Sequence, residues 1–386
     1  MVNFVKVKRP LIVILQAYIP SYRVKFFEEL IAKAHSVGID IVVAAGEPSG
    51  NMAHRKDSVQ PPFVVPVKQK ELKAFGRRVA LRLWPRIARH ADLVVLEQAR
   101  RNLDIYRLLV PKRLRRTNIA LWGHGGDYAG SVGSLDEFLR RILTRESDWF
   151  FAYTSEGIRS VLRQGVDAKR ATELKNSTDT TQLLKDLEAV NGSKRAAYRR
   201  LHSLGDKTAV YVGGLDAGKR INMLIEAGAE IVKHVPEFKL IIAGDGSSKT
   251  AVQEAAARYP WLLYAGAVTG EEKALILSSA AILTIPGSIG LVAVDSLIAG
   301  VPIVTTDDNR HGPEFAYLDP GKTVEVSACN TAAYATAVIS VMNDRARLEA
   351  MRDSCIAASR GYSIEHMADN FLGGIREFLS AGGRRA

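Results

Sequence analysis

The chain's chemistry is densest from Pro286 to Asp308, PGSIGLVAVDSLIAGVPIVTTDD, where an apolar strand breaks at Pro286-Gly287 and re-enters a helical pattern through Gly290. Such a turn aims backbone N–H groups and the positive end of a helix at whatever lies above the sheet, and a phosphate suits that place. The donors expected here are the Ser288, Ile289, Gly290 and Leu291 amides, with Gly287 allowing close approach. Asp295 follows about one helical turn later, placed to accept hydrogen bonds from a sugar hydroxyl. Upstream, VYVGGLDAGKR (Val210 to Arg220) repeats the strand–glycine–helix pattern at Gly213 and Gly214, and Lys219 and Arg220 add charge for a diphosphate. GDGSS, beginning at Gly244, is a third such turn. Any one of them alone is matched by a surface turn with solvated cations, because short glycine motifs recur by chance. Three turns at corresponding strand ends favour an anion site, read as half of a nucleotide-sugar site.

The elements that must position these residues alternate between short apolar strands and amphipathic helices, the pattern of parallel sheets with crossover helices. Strands are expected near 11–15, 39–44, 62–66, 92–96, 118–122 and 149–153, then near 208–212, 239–243, 281–285, 302–305 and 322–326. This makes an α/β chain with two doubly wound units, whose ligands belong at the carboxyl ends of the strands. The boundary falls in the polar stretch 176–207, giving domains at 1–180 and 181–365. In the remaining segment, 366–386, Met367, Phe371, Ile375 and Phe378 recur at helical spacing, expected to pack back on the first domain.

A length of 386 residues exceeds what one core normally supports, and 47% hydrophobic with 24% charged residues marks a folded chain. The net charge of +12 is unevenly placed: residues 1–180 hold 31 basic against 18 acidic side chains, residues 181–386 hold 22 against 23. Residues 51–118 alone carry 17 basic and 5 acidic side chains. Such a field attracts nucleic acid, anionic lipid or a phosphorylated substrate. Cys329 and Cys355 lack metal-ligand spacing and fit a reducing compartment. No apolar run reaches the ~20 residues of a spanning helix, so membrane contact is expected to be peripheral, from the cytoplasmic side.

From 68 to 90, KQKELKAFGRRVALRLWPRIARH places Leu72, Phe75, Val79, Leu83 and Ile87 on one helical stripe. Arg77, Arg78, Arg82 and Arg86 surround an off-stripe Trp84, an arrangement suited to an anionic membrane interface. An ordinary core-packing helix with a solvated basic back is the alternative. Nucleic acid is the runner-up partner, and the chain shows none of its recognition signatures, so none is expected to bind.

The order of GGLDAGKR, LIIAGDG (240–246), YAGAV (264–268) and IPGSIGLVAVDSLIAGVPIVTTD resembles the nucleotide-binding domain of family 4 glycosyltransferases with the GT-B fold. IPSYRVKFFEEL (19–30), LWGHG (121–125), FAYTSEG (151–157) and KNSTDT (175–180) extend the resemblance over most of the chain. It implies two Rossmann-like domains facing a central cleft and retaining transfer from a UDP- or GDP-linked sugar, with no cofactor and no obligatory metal. By the same resemblance Lys219 grips the diphosphate, Asp295 binds the ribose, and His124 is the catalytic residue that contacts the donor sugar. Tyr22, Arg23, Glu97 and Asp127 fall on the acceptor side; a surface salt bridge is the alternative for Arg23, pairing with Arg100 or Arg101 for Glu97, and a helix cap for Asp127. Two positions depart from the family: Gly214 replaces its arginine, and Gly287 replaces its first glutamate. The implied reaction is transfer to a lipid-linked or saccharide acceptor in surface polysaccharide or glycolipid synthesis, at the inner face of the cell membrane. A sugar-nucleotide-binding regulator, or an epimerase or phosphorylase of the same fold, is the alternative.

Overall fold

The computed structural model describes residues 9–48, 57–74, 77–126, 134–308 and 310–383. They fall into two units, one running to Asn176 and taking up the chain again at Ile364, the other spanning Ser177–Ser363.

Besides a short antiparallel pair, Ile19–Pro20 with Ser58–Val59, the described strands of the first unit are β1 (Leu11–Gln16), β2 (Asp40–Ala45), β3 (Val64–Pro66), β4 (Gln69–Ala74), β5 (Arg77–Arg82), β6 (Leu93–Glu97), β7 (Ile119–Gly123), β8 (Trp149–Ala152) and β9 (Ala171–Glu173). Seven of them form one parallel sheet in the order β9-β8-β7-β6-β1-β2-β3. Strand β1 is apolar at nearly every position because both its faces are covered: Ile12 and Ile14 enter one hydrophobic cluster, Val13 and Leu15 the other. The covering helices are α1 (Val24–Ser36), α2 (Ser134–Arg145) and α3 (Ser155–Arg163). Phe371 and Gly374 come from the far end of the chain to the same sheet. Phe371 stacks on Phe151 with centroids 4.2 Å apart, and a Cβ on Gly374 would meet Thr172 Oγ1 at 2.4 Å.

The second unit has six parallel strands, β10 (Thr208–Val212), β11 (Lys239–Ala243), β12 (Leu262–Gly266), β13 (Ile282–Ile285), β14 (Ile303–Thr306) and β15 (Val324–Ser327), in the order β12-β11-β10-β13-β14-β15. Its helices are α4 (Thr180–Ala189), α5 (Gly192–Leu201), α6 (Ile221–His234), α7 (Lys249–Arg258), α8 (Gly270–Ser278), α9 (Val292–Ala299), α10 (Thr331–Asn343) and α11 (Arg345–Ser359). Polar residues start the first two: Asp179 accepts from Gln182 N at 2.9 Å and Asn191 from Lys194 N at 2.8 Å, which is how the strandless stretch after 176 becomes helical. The last helix, α12 (Ile364–Phe378), returns to the first unit, where Lys33 of α1 meets Asp369 at 2.6 Å. Both sheets carry the doubly wound α/β pattern expected from the sequence.

One expectation fails. Residues 68–90 form no amphipathic helix: β4 and β5 pair antiparallel, from Gln69 opposite Arg82 to Ala74 opposite Arg77, followed by a 3-10 turn at Arg86–His90. Alternation along the hairpin turns Leu72 (48% exposed) and Leu81 (40%) outward and buries Arg82 completely. Arg82 grips Asp104 through Nε and Nη2 at 3.0 and 3.1 Å and Glu97 through Nη1 at 3.0 Å. Trp84 donates to Asp104 at 3.4 Å and lies under the Arg107 guanidinium, 4.0 Å from the ring centroid. Arg82 therefore cannot meet a membrane, and Trp84 is held by protein instead of projecting from a helix. Arg86 is exposed, while the side chains of Arg77 and Arg78 lie outside the described residues. No described helix is long and apolar enough to cross a membrane.

Candidate functional site

In the second unit the strand order reverses between β10 and β13, and the loops that leave these two strands meet. Ser288 N donates to Gly218 O at 3.0 Å, and Lys219 Nζ donates to Ser288 O. The approach is backbone to backbone: a Cβ on Gly287 would lie 2.3 Å from Gly218 O and 2.7 Å from Lys219 Cα. Gly287 is thus more than a lost carboxylate, because the Gly218-Lys219 backbone fills the space a side chain would need. The neighbouring turn is equally close, since a Cβ on Gly244, whose φ is +155°, would sit 1.9 Å from Gly213 O.

This packing uses several amides that the sequence assigned to an anion. Gly213 N donates to Ala243 O at 3.0 Å, Gly244 N to Gly266 O at 2.6 Å and Ile289 N to His311 Nδ1 at 3.2 Å. With Ser288 N, these four serve the protein's own frame. Inside α9, Ala293 N donates to Gly290 O at 3.0 Å, Val294 N to Leu291 O at 2.9 Å and Asp295 N to Leu291 O at 3.4 Å, so the donors suited to an anion are those that enter the helix, at Gly290, Leu291 and Val292. Gly214 is exposed, its carbonyl accepting from the Tyr211 hydroxyl. Arg220 adopts φ +54° and directs Nε to Asp308 Oδ2 at 2.7 Å. Arg310 and Arg220 together hold the buried Asp308 carboxyl well below the usual carboxylate range.

Asp295, 7% exposed in the first turn of α9, pairs through Oδ2 with Lys273 Nζ of α8 at 2.7 Å, while its Oδ1 is buried with no hydrogen-bond partner. Sequence reasoning missed three residues here: Lys273, His311 and Glu314. The His311 ring bridges Ile289 N and Thr306 O (2.8 Å), stacks on Phe315, and has its pKa lowered by burial. Glu314, 4% exposed, brings Oε2 to 3.9 Å from where a Gly290 Cβ would sit. The His311-Gly312-Pro313-Glu314 turn after β14 was the available signal.

In the first unit the order reverses between β1 and β6, and Glu97 stands at the end of β6. Its Oε2 accepts from Ala17 N just past β1 at 2.9 Å, from Arg82 and from Asn102 Nδ2 at 3.2 Å. Burial raises the Glu97 carboxyl above its ordinary range, with Arg82 opposing the rise. Its ionic partner is Arg82, neither Arg100, which pairs with Asp136, nor Arg101.

Arg23 is 4% exposed, donates to Asn176 Oδ1 at 2.6 Å, and has its guanidinium 5.2–5.9 Å from the ring centroids of Tyr22, Phe26, Trp122 and Tyr153. It forms no surface salt bridge and offers no open guanidinium to an acceptor phosphate; Tyr22, 41% exposed, remains accessible. His124 follows β7, its ring edge-on to Tyr153 at 4.9 Å. Its side chain is exposed, but the protein crowded around the ring and the Arg23 charge still hold its pKa down at about 4, so the imidazole is neutral at pH 7. The next peptide is gripped from both sides: Gly125 N donates to Gln98 Oε1 at 2.9 Å, and Gln164 Nε2 donates to Gly125 O at 2.6 Å. Asp127 lies outside the described residues. Among the described residues, no group of three or more His, Cys, Asp or Glu side chains could hold a metal ion.

Comparison with known proteins places this geometry. Residues 206–344 match the family model described as Glycosyl transferases group 1. The chain is 26% identical over 257 residues to D-inositol 3-phosphate glycosyltransferase of Nocardia farcinica, covering 61% of this chain and 54% of that one. It is 25% identical over 199 residues to alpha-D-kanosaminyltransferase of Streptomyces kanamyceticus, covering 49% and 51%. The chain thus spans about half the length of these relatives. Among solved structures, Anabaena HepE in complex with UDP superposes with a TM-score of 0.67 at 13% identity, over 96% of this chain and all of that one. Sucrose-phosphate synthase from Thermosynechococcus elongatus gives 0.67 at 14% identity, over 97% and 100%. The two Rossmann-like units are those of the GT-B fold, and the match to the group 1 glycosyltransferase model lies within the second.

Proposed function

We propose that the chain is a retaining glycosyltransferase that needs no metal and moves a sugar from a UDP- or GDP-linked donor to a hydroxyl of a lipid-linked or saccharide acceptor. The observation that carries this reading is the junction of Lys219 with the Ser288 turn at the strand-order reversal of the second unit. An ammonium group and the Gly290, Leu291 and Val292 amides that enter α9 are what a departing diphosphate needs, since leaving-group charge develops as the glycosidic bond breaks. Asp295 holds the ribose, and neutral His124 donates or accepts a hydrogen bond at the donor sugar without adding charge. In front-face transfer the leaving diphosphate takes the acceptor proton, so no protein base is required. The UDP held in the HepE complex supports a nucleotide donor. The basic excess of residues 51–118 supports an anionic surface at the inner face of the cell membrane as the place of work, in surface polysaccharide or glycolipid synthesis.

A second reading, a sugar-nucleotide-binding regulator, is favoured by Gly287, where backbone packing leaves no room for the family's carboxylate. Nucleoside diphosphate release from UDP- and GDP-sugars, offered with phosphorylated and lipid-linked acceptors, separates the two. The enzyme reading requires acceptor-dependent release that His124→Ala abolishes; donor binding without release supports the regulator.

A further inference from the structure

The turn that leads into α9 is held by the segment at the end of β14. Thr306 Oγ1 donates to Pro286 O at 2.8 Å, Gly312 N donates to Ile289 O at 2.6 Å, and Ile289 N donates to His311 Nδ1 at 3.2 Å. Both partners of the His311 ring are backbone groups of fixed kind, and this decides its tautomer. Thr306 O, 2.8 Å from Nε2, only accepts, so Nε2 carries the proton; the Ile289 N–H only donates, so Nδ1 is bare. Protonating Nδ1 would set two donors face to face. The ring has little room to turn aside, being 8% exposed and stacked on Phe315 at 4.2 Å. Ile289 is itself buried, and a Cβ on Gly312 would lie 2.8 Å from Ile289 O, so the turn has no slack on that side either. The next three residues are Gly290, Leu291 and Val292, whose amides enter the helix.

We propose that His311, as the neutral Nε2–H tautomer, is a positioning residue of the donor site: it fixes the Ile289 peptide and thereby the Gly290, Leu291 and Val292 amides that meet the diphosphate. This rests on the reading of the second unit as a sugar-nucleotide site. The role makes donor binding sensitive to acid, with a sign that charge attraction alone would reverse. A diphosphate near an imidazolium is attracted to it and would bind more tightly as pH falls. Loss of the Ile289 hydrogen bond works the other way, because the amides lose their aim. Burial lowers the pKa of the ring and Lys219 adds to this; Thr306 O and Asp308 oppose it, and Asp308 already pairs with Arg220 and Arg310. Glu314 lies in the same turn, against Gly290.

Calorimetric titration of the full chain with UDP-glucose and GDP-mannose, whose diphosphate esters carry no group that titrates in mild acid, tests the role. At pH 7.5 His311→Leu is expected to bind at least tenfold more weakly than wild type the donor that wild type binds. His311→Asn, whose side-chain oxygen stands near the place of Nδ1 and does not titrate, is expected to lose no more than threefold. Nitrogen NMR of the wild-type ring is expected to show the Nε2–H tautomer at pH 7.5 and to give its pKa. One pH unit below that pKa, wild-type affinity should have fallen at least threefold while His311→Asn holds its own. Melting temperatures separate lost binding from unfolding, and the comparison of wild type with His311→Asn decides the matter even where His311→Leu is unstable. An Nδ1–H tautomer, binding that tightens below the ring's pKa, or a His311→Leu variant that binds as wild type would overturn the proposal and leave the donor site standing. A wild-type chain that binds neither donor would remove the donor reading itself, and this role with it.

Discussion

Lys273 Nζ lies 2.7 Å from Asp295 Oδ2 in the second unit, and the other oxygen of that buried carboxylate has no partner. The lysine thus neutralises the group expected at the ribose while leaving one oxygen to accept a ligand hydroxyl. Replacing Lys273 by Met leaves a buried carboxylate without its cation. We expect a stability loss of about 1–3 kcal/mol, read by chemical denaturation, and weaker nucleotide binding. Unchanged values for both would show that the pair serves neither purpose.

Restoring the family's carboxylate at position 287 should harm the protein. The new Cβ in Gly287→Glu would fall 2.3 Å from Gly218 O, so the two loops must part. Overpacking of this kind typically loses ~1–3 kcal/mol. A lower melting temperature and weaker UDP or GDP binding are expected; higher turnover would show that the loops yield easily and that the carboxylate was the missing part.

The hairpin that replaces the expected helix is locked by Arg82. Removing one partner of a buried ion pair costs about 3–5 kcal/mol, so Arg82→Met should destabilise the first unit strongly. Arg86→Ala, at an exposed position, should change stability by no more than ~0.5 kcal/mol. Denaturant titration of both variants checks the contrast, and equal small effects would argue against the buried network. Binding to anionic vesicles should fall for Arg86→Glu and in high salt, since each surface cation contributes only ~1 kcal/mol.

Two histidines set an acid limit. His124, with a pKa of about 4, and His311, lowered by burial, are neutral when folded, while unfolded histidine titrates near ~6.5. Below that pH the unfolded chain binds more protons, so their contribution is complete above ~6.5 and is lost as pH falls towards 4. Unfolding free energies measured between pH 7.5 and 5 should decrease, and His311→Asn should flatten the slope. An equal slope in wild type and variant would remove His311 from the account.

Long-range burial decided what could be read in advance. Strands such as LIVIL at 11–15 and KLIIA at 239–243 are apolar without interruption, so their place inside a covered sheet was legible. Residues 68–90 were misread because Leu72 and Val79 fit a helical stripe and a strand alternation alike. Arg82's partners Glu97 and Asp104 come from other elements, so its burial had no local sign. The glycine turns were legible as turns. Their internal hydrogen bonds were not, since Ile289 finds its acceptor in His311, 22 residues away.

The central claim is that Lys219 and the turn at Ser288 receive a nucleoside diphosphate. Calorimetric titration of the wild-type chain and Lys219→Ala with UDP and with GDP tests it most directly. One of the two nucleotides should bind wild type at a single site and Lys219→Ala at least tenfold more weakly. Binding of neither, or equal binding by both chains, would contradict it.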